Sequence, residues 1–462
     1  MGERGPFVLR SRQVRCHRRR PRGGGANSRF ARKEGDAQAG GCEVSRRLFP
    51  LVTIEEAVRR TPKPLDEEAV ARSEEILRSI EERGWEAAVS WANELGDLVP
   101  GQAAVLQGDE LQAALNEIPQ DHRELLSRVR DRIARFAEVQ LASLRSAVSD
   151  IPGGIAGHVV VPVRAAGCYA PGGRYPLPSS VLMTVTTARV AGVESVWCAS
   201  PKPSAVTVAA AAVAGADALI AFGGAPAVGV LAYGCGPVPR CDVIVGPGSK
   251  WVTAAKRAVF GQVGIDMLAG PSELLVLADD SANAAWIAAD LLAQAEHDVD
   301  AGPMLISTSE SLLDAVELAL QNQLETLPTK EIAERALANG WAAFAPSLEE
   351  GIRVANEVAP EHLELMVRDA ESVAQRLTEY GGLFIGGNAA EVFGDYGAGP
   401  NHVLPTGRTA RFSSGLSVLN FLRTRTWMQV SKPNDALIDD CAELARLEGL
   451  EAHARAAEMR RG

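Results

Sequence analysis

Ser195-Val-Trp-Cys-Ala199, Ser204-Ala-Val-Thr-Val-Ala-Ala-Ala-Ala-Val-Ala214 and Ala218-Leu-Ile-Ala-Phe222 follow one another with only short breaks. The first and third are brief β-rich apolar runs, and the second is a longer helical run; that order is the mark of parallel strands joined by a crossover helix. The same alternation extends on both sides. Val159–Val163 precedes the helical stretch Ser179–Ala191, and Ala225–Tyr233, Val243–Val245, Lys250–Phe260, Leu274–Leu277 and Ala284–Glu296 continue it. A second, shorter set follows in Met304–Ser307, Leu312–Leu327, Ala342–Ala345, Leu348–Glu357, Leu363–Met366, Ser372–Tyr380 and Leu383–Ile385. The expected fold is therefore α/β, with two Rossmann-like parallel-sheet units and a cleft between them, the usual place for a ligand.

Before this alternation, residues 49–150 read as helical, with Leu65–Glu82, Gly108–Leu115 and the amphipathic stretch Asp121–Leu144. Thr53 and Glu56 have the spacing of a capping box that opens the ordered chain. The expected domains are a first α/β unit over 151–280, a second with its loops over 281–432, and a helical tail over 433–462.

At 462 residues, 46% hydrophobic and 23% charged, the chain can bury sizeable cores. Its net charge of −11 is uneven: residues 1–50 carry 13 basic and 4 acidic side chains, so the other 412 carry −20. An acidic body does not seek nucleic acid. The seven cysteines, Cys16, Cys42, Cys168, Cys198, Cys235, Cys241 and Cys441, are scattered, with no C-x-x-C pair, which argues against a disulfide framework or a thiolate zinc site. The longest uncharged run, Ala218–Pro239, holds five glycines and three prolines and reads as strand, turn and helix, so no membrane span is expected. Residues 1–48 read as a disordered basic leader, since 1–33 hold eleven Arg or Lys against the single acid Glu3. The leader is either a transit peptide to an organelle over residues 1–45 or an extended start, and otherwise the expected compartment is the cytoplasm.

The chemistry-bearing residues lie mostly late in the chain. In Leu291-Leu-Ala-Gln-Ala-Glu-His297, Gln294 and His297 share a helical face, where an imidazole and an amide oxygen can ligate zinc if other donors arrive; equally, His297 can be a cation closing a helix. Glu361-His362 sets a carboxylate beside an imidazole at a loop-to-strand junction, a pairing suited to proton removal and water activation. Asp395 in Gly394-Asp395-Tyr396-Gly397 is either a hard metal ligand or an ordinary turn aspartate. Of seven histidines, four (His297, His362, His402 and His453) follow residue 290 in polar, turn-bounded settings. No G-x-G-x-x-G occurs, but Pro171-Gly172-Gly173, Gly223-Gly224 and Gly246-Pro247-Gly248 are turns at strand ends where a backbone can approach a phosphate.

Six segments in register resemble the histidinol dehydrogenase family: Ala269-Gly-Pro-Ser-Glu273, Gln294-Ala-Glu-His297, Ala359-Pro-Glu-His-Leu363, Gly394-Asp-Tyr396, Asn401-His-Val-Leu-Pro-Thr406 and Glu448-Gly-Leu-Glu-Ala-His453. The resemblance covers roughly residues 50–460. It implies a zinc enzyme, with one Zn2+ per subunit, that oxidises L-histidinol to L-histidine through the aldehyde with two NAD, the last step of histidine biosynthesis. By the same resemblance the metal ligands are Gln294, His297, Asp395 and His453, and the proton-transfer pair is Glu361 and His362. Ser272, His402 and Glu448 join His362 and the metal ligands around the substrate. The resemblance also implies a homodimer whose C-terminal tails are exchanged.

The cofactor region departs from the family pattern. Tyr169 is the family's tyrosine of the nucleotide site, but Pro226 and Ser249 stand where the family has Gln and Asn. Proline lacks an amide and a backbone donor, and serine is shorter than asparagine, so weaker or re-posed NAD binding is expected. A related zinc and NAD dehydrogenase of another small polar alcohol is one alternative, a zinc hydrolase a second and a non-enzymatic binding module a third.

Overall fold

The structure is a computed structural model that describes residues 47–60, 66–98, 101–172 and 175–461. The basic leader expected over residues 1–48, its two cysteines and Gly173 of the first glycine turn therefore lie outside the described residues, apart from positions 47 and 48. Fifteen strands are present among them. They are β1 (Leu51–Val52), β2 (Val105–Gln107), β3 (Ala147–Ile151), β4 (Gly154–Pro162), β5 (Ala165–Tyr169), β6 (Ser195–Ala199), β7 (Ala218–Ile220) and β8 (Val243–Val245). They continue as β9 (Gly264–Ile265), β10 (Glu273–Ala278), β11 (Gly302–Ser307), β12 (Trp341–Phe344), β13 (His362–Met366), β14 (Gly382–Ile385) and β15 (Leu422–Val430).

Two six-stranded sheets carry the fold, in the orders β2-β7-β6-β5-β8-β9 and β1-β12-β11-β10-β13-β14. Each is parallel except where β2 joins β7 antiparallel. The two share one winding. The chain runs outward from β5 through β6 to β7 and then returns to the other side with β8; in the second sheet it runs from β10 through β11 to β12 and returns with β13. The winding reverses between β5 and β8 and again between β10 and β13, and such switch points open crevices at sheet ends.

The central strands β5, β10 and β13 are buried on both faces because helices cover both, as parallel sheets require, and are apolar apart from Glu273, His362 and Glu364. Each sheet accordingly has two cores. Cys168, Cys198 and Leu219 face the helix Pro178–Val190 in one, while Ile220, Ile244 and Leu231 lie in the other. In the second sheet Leu274, Val276 and Leu291 share one core, and Leu275, Leu365 and Ile352 the opposite one. The helix Pro178–Val190 is buried nearly all round, with Pro178 at its first turn, where the missing N–H is harmless. Among the described residues no helix is long and apolar enough to cross a membrane, and the five described cysteines are free thiols.

The topology corrects several expectations. Val159–Val163 does not open the parallel set: β4 pairs antiparallel with β3 and β15 in a separate three-stranded sheet and is only half-buried throughout. Its valine run resembled a buried strand, but β3 turns directly into it, which leaves no room for a crossover. Leu274–Leu277, expected at the end of the first unit, lies in β10 at the middle of the second sheet. An apolar run fits either sheet equally, and pairing alone chooses. Likewise β1 and β2 leave the supposedly helical region to edge the two sheets. The helix expected over Ser372–Tyr380 is one short turn, Ala370–Ala374. The N-terminal helices form at Glu67–Arg83, capped by Asp66, at Asp109–Glu117 and at Gln120–Ala142.

Candidate active site

At the amino end of β13 the helix Leu348–Val358 stops on Ala359, whose φ of +46° is left-handed without being glycine. Such a backbone costs an alanine roughly 1–2 kcal/mol and persists where its surroundings impose it. Pro360 follows, and the turn delivers Glu361 and His362 to the amino end of β13, both buried. Glu273, at the amino end of the neighbouring β10, holds the pair through its own backbone. Its N–H donates to Glu361 Oε2 at 2.8 Å, and its carbonyl accepts from His362 Nδ1 at 3.1 Å.

That second bond assigns the tautomer. With the proton on Nδ1, Nε2 carries a lone pair, and Nε2 has no hydrogen-bond partner. Burial pushes the His362 pKa down to about 3, so the ring is neutral at physiological pH. Burial, and after it the nearby Glu273 and Asp395, holds the Glu361 carboxyl well above the usual range against the opposing Glu273 N–H. A cation bound beside it would favour the carboxylate.

Asp395 is the point of convergence. The short helix Glu391–Tyr396 carries it, and it lies 3.7 Å from His297 Nε2, 3.7 Å from His362 Nε2 and 3.8 Å from His402 Nδ1. Burial raises its pKa to about 7 and lowers that of His402 to about 4. Gln294 sits one turn before His297 on the helix Ala284–His297, fully buried, with neither its amide oxygen nor its nitrogen paired. An unpaired buried amide costs about 1–3 kcal/mol per group unless something binds it. Two donors of one zinc at ~2.1 Å stand roughly 3.4 Å apart at tetrahedral angles. The 3.7 Å between His297 and Asp395 therefore fits an ion between them, and the N and O donor set suits zinc.

The remaining expected residues are placed as follows. Ser272 precedes Glu273 and its carbonyl accepts from Gly302 N at 2.9 Å. Glu448 and His453 are exposed on the tail helices and make no hydrogen bond or ion pair to this cluster within the chain. Tyr169 ends β5 with its hydroxyl accepting from Gly224 N at 3.1 Å, and burial raises it to about 12. Pro226 is buried inside the helix Gly224–Tyr233, whereas Ser249 is exposed at the start of the helix Lys250–Val259 and does not cap it.

Sequence reasoning overlooked Glu391. Its Oε1 lies 3.3 Å from His362 Nδ1, and its N–H donates to Glu364 Oε1 at 2.7 Å. Burial and then Asp395 hold the Glu391 carboxyl well above its ordinary range. The four-residue spacing of Glu391 and Asp395 on one helix was the signal that could have found it. One atom each from His362, Glu391 and Asp395 lie within 4.8 Å of one another, so this trio too could hold a cation. The His362 nitrogen that faces Glu391, however, already donates to Glu273, which favours the set gathered at the Nε2 side.

A buried imidazole with a free lone pair, a buried carboxyl partner and a polar cluster able to hold a cation, set in an α/β scaffold, define an acid–base enzyme. The family model for histidinol dehydrogenase matches residues 59–461. The chain is 44% identical over 394 residues to the histidinol dehydrogenase of Thermus thermophilus, covering 84% of this chain and 93% of that one. It is 42% identical over 393 residues to that of Dechloromonas aromatica, covering 83% and 90%. The crystal structure of histidinol dehydrogenase from Elizabethkingia anophelis superposes with a TM-score of 0.83 at 30% identity, covering 90% of this chain and 98% of that one. The chain belongs to the histidinol dehydrogenase family and is an NAD-dependent oxidoreductase.

Proposed function

We propose that this chain oxidises L-histidinol to L-histidine through histidinaldehyde, with one zinc per subunit held by Gln294, His297 and Asp395, and by His453 of a second copy. The observation that carries the metal assignment is Gln294, fully buried with both amide atoms unpaired, one turn from a His297–Asp395 contact of 3.7 Å. Bound zinc would supply a Lewis acid that orients the substrate's amine and imidazole, and NAD would supply the acceptor for two hydrides. His362 Nε2 takes the hydroxyl proton in the first oxidation. Glu361 then takes a proton from the water that adds to the aldehyde while protonated His362 returns its proton to the aldehyde oxygen. The neutral imidazole takes a proton again from the resulting hydrate as the second hydride departs, leaving the carboxylic acid, which ionises. Glu273 keeps both groups aimed through its backbone. Ser272, His402 and Glu448 complete the substrate contacts, and Tyr169 and the turn before Ser249 line the NAD side.

The test follows reduced-cofactor absorbance with histidinol and NAD before and after chelation. Turnover should vanish on chelation and return with added zinc. Full turnover in protein shown to be metal-free would refute the zinc assignment. Zinc-loaded protein that makes reduced cofactor from another small alcohol but not from histidinol would refute the substrate.

A further inference from the structure

The Gly246-Pro247-Gly248 turn leaves β8 beside the end of β5, and both backbone polar groups of Gly246 are captured by side chains from other elements. Asp266 Oδ2 accepts the Gly246 N–H at 2.6 Å. Lys256 Nζ donates to the Gly246 carbonyl at 3.0 Å. Lys256 and Asp266 also pair with each other, their side chains only 3% and 0% exposed, and Asp266 Oδ1 accepts from Met267 N at 2.6 Å.

Taking an ammonium and a carboxylate out of water costs several kcal/mol per ion, and apolar residues of similar volume are commonly at least as stabilising. Stability alone therefore does not account for the pair. What an apolar pair could not do is grip one residue by both its N–H and its C=O. Gly246 needs that grip: its φ is +115°, and a Cβ there would lie 2.0 Å from the Tyr169 carbonyl oxygen. The backbone is thus pressed against the end of β5, in the crevice where the winding of the first sheet reverses. Lys256 belongs to the helix Lys250–Val259 that starts just beyond the turn, so one ammonium ties the helix to the turn that precedes it.

We propose that the buried Lys256–Asp266 pair is a positioning device for the cofactor: it holds the Gly246-Pro247-Gly248 turn and the start of the next helix where NAD binds, and so sets NAD affinity without touching NAD or substrate. This inference rests on the reading that NAD occupies the crevice between β5 and β8. A supporting shell of this kind acts by fixing geometry, so its loss weakens binding of one ligand while the fold and the other sites persist.

The test is calorimetric titration of the zinc-loaded protein with NAD, and separately with histidinol, alongside zinc content and thermal unfolding. Lys256→Met with Asp266→Leu removes both charges together and leaves no unpaired ion; Lys256→Met with Asp266→Asn keeps the original shape and is used if the first does not fold. The expected result is NAD binding about tenfold weaker, with histidinol affinity and zinc content unchanged. Ser249→Asp, an exposed change that places a carboxylate at the start of the helix, reports independently on where NAD lies and should also weaken it. If Ser249→Asp weakens NAD and a folded pair variant does not, the positioning role is overturned while the cofactor reading stands. If Ser249→Asp leaves NAD affinity unaltered, the cofactor lies elsewhere and the inference falls with that reading.

Discussion

His362 and Glu361 are held by one residue's backbone, and the division of labour between them is open to kinetics. His362→Asn should slow oxidation of both histidinol and histidinaldehyde by about a hundredfold or more, as for a general base used twice. Glu361→Gln should spare the alcohol step more than the aldehyde step, because only the second consumes water; equal losses on the two supplied substrates would contradict the assignment. Glu273 makes a separate prediction through its own side chain. Burial lifts its pKa from 4.5 to about 7, against the opposing Gly407 N–H at 3.1 Å. The folded pKa is above the unfolded one, so the folded state holds the extra proton; this stabilisation is complete below about 4.5 and is lost as pH rises through about 7. Across that window it amounts to roughly 3 kcal/mol. Glu273→Gln, which still accepts from Gly407, should match the parent's unfolding midpoint near pH 4 and exceed it at pH 8. Parallel curves for the two proteins would show that the buried carboxyl is not the cause.

The elements around the site are short, and each is held by contacts from far along the chain. The helix Glu391–Tyr396, which presents Asp395, has no cap from its own flanking residue; Glu364 on β13 accepts its first N–H instead. The turn after β8 is similarly dependent on distant partners. Gly246→Ala would force a Cβ to within 2.0 Å of a backbone oxygen at a φ of +115°, so a loss of at least ~3 kcal/mol is expected in denaturant unfolding. A loss under ~1 kcal/mol would mean that the β5 end yields. Element identity was legible where the signal was local. The helix Ala284–His297, the capping box of Thr53 and Glu56, and the apolar strands on either side of the helix Ala205–Ala214 all appear as read. The antiparallel placing of Val159–Val163 was not legible, because a valine run states burial and says nothing about which strand lies beside it.

For the molecule as a whole, the tail poses the main question. The helices Asp435–Leu447 and Glu451–Glu458 share a small core of Ala442, Ala445 and Ala454. Leu444, Leu447, Leu450 and Met459 are left 59%, 79%, 42% and 84% exposed. That exposed apolar surface supports the proposal that the tail docks on a second copy, bringing Glu448 and His453 to the partner's cluster. Chains of His453→Ala and of His362→Ala should each be inactive alone. Co-refolded, they should recover about a quarter of the sites, since half the randomly paired dimers are mixed and each mixed dimer holds one whole site. Mixed dimers confirmed by mass that stay as inactive as the parents would show that each tail serves its own chain.

Local pattern was enough to establish an α/β chain, the helix that bears Gln294 and His297, and the adjacency of Glu361 and His362 at a strand start, because periodicity, caps and neighbouring residues are written into short stretches. Motif spacing was enough for the family. Only the tertiary structure could place Leu274–Leu277 in the second sheet, bring Glu391 against His362, and use Glu273, 88 and 89 residues away, as the backbone clamp of Glu361 and His362. The physical reason is common to all three. Strand order and the pairing of buried polar groups are set by which surfaces and donors meet after the chain has crossed over. A sequence window contains only one side of each such contact.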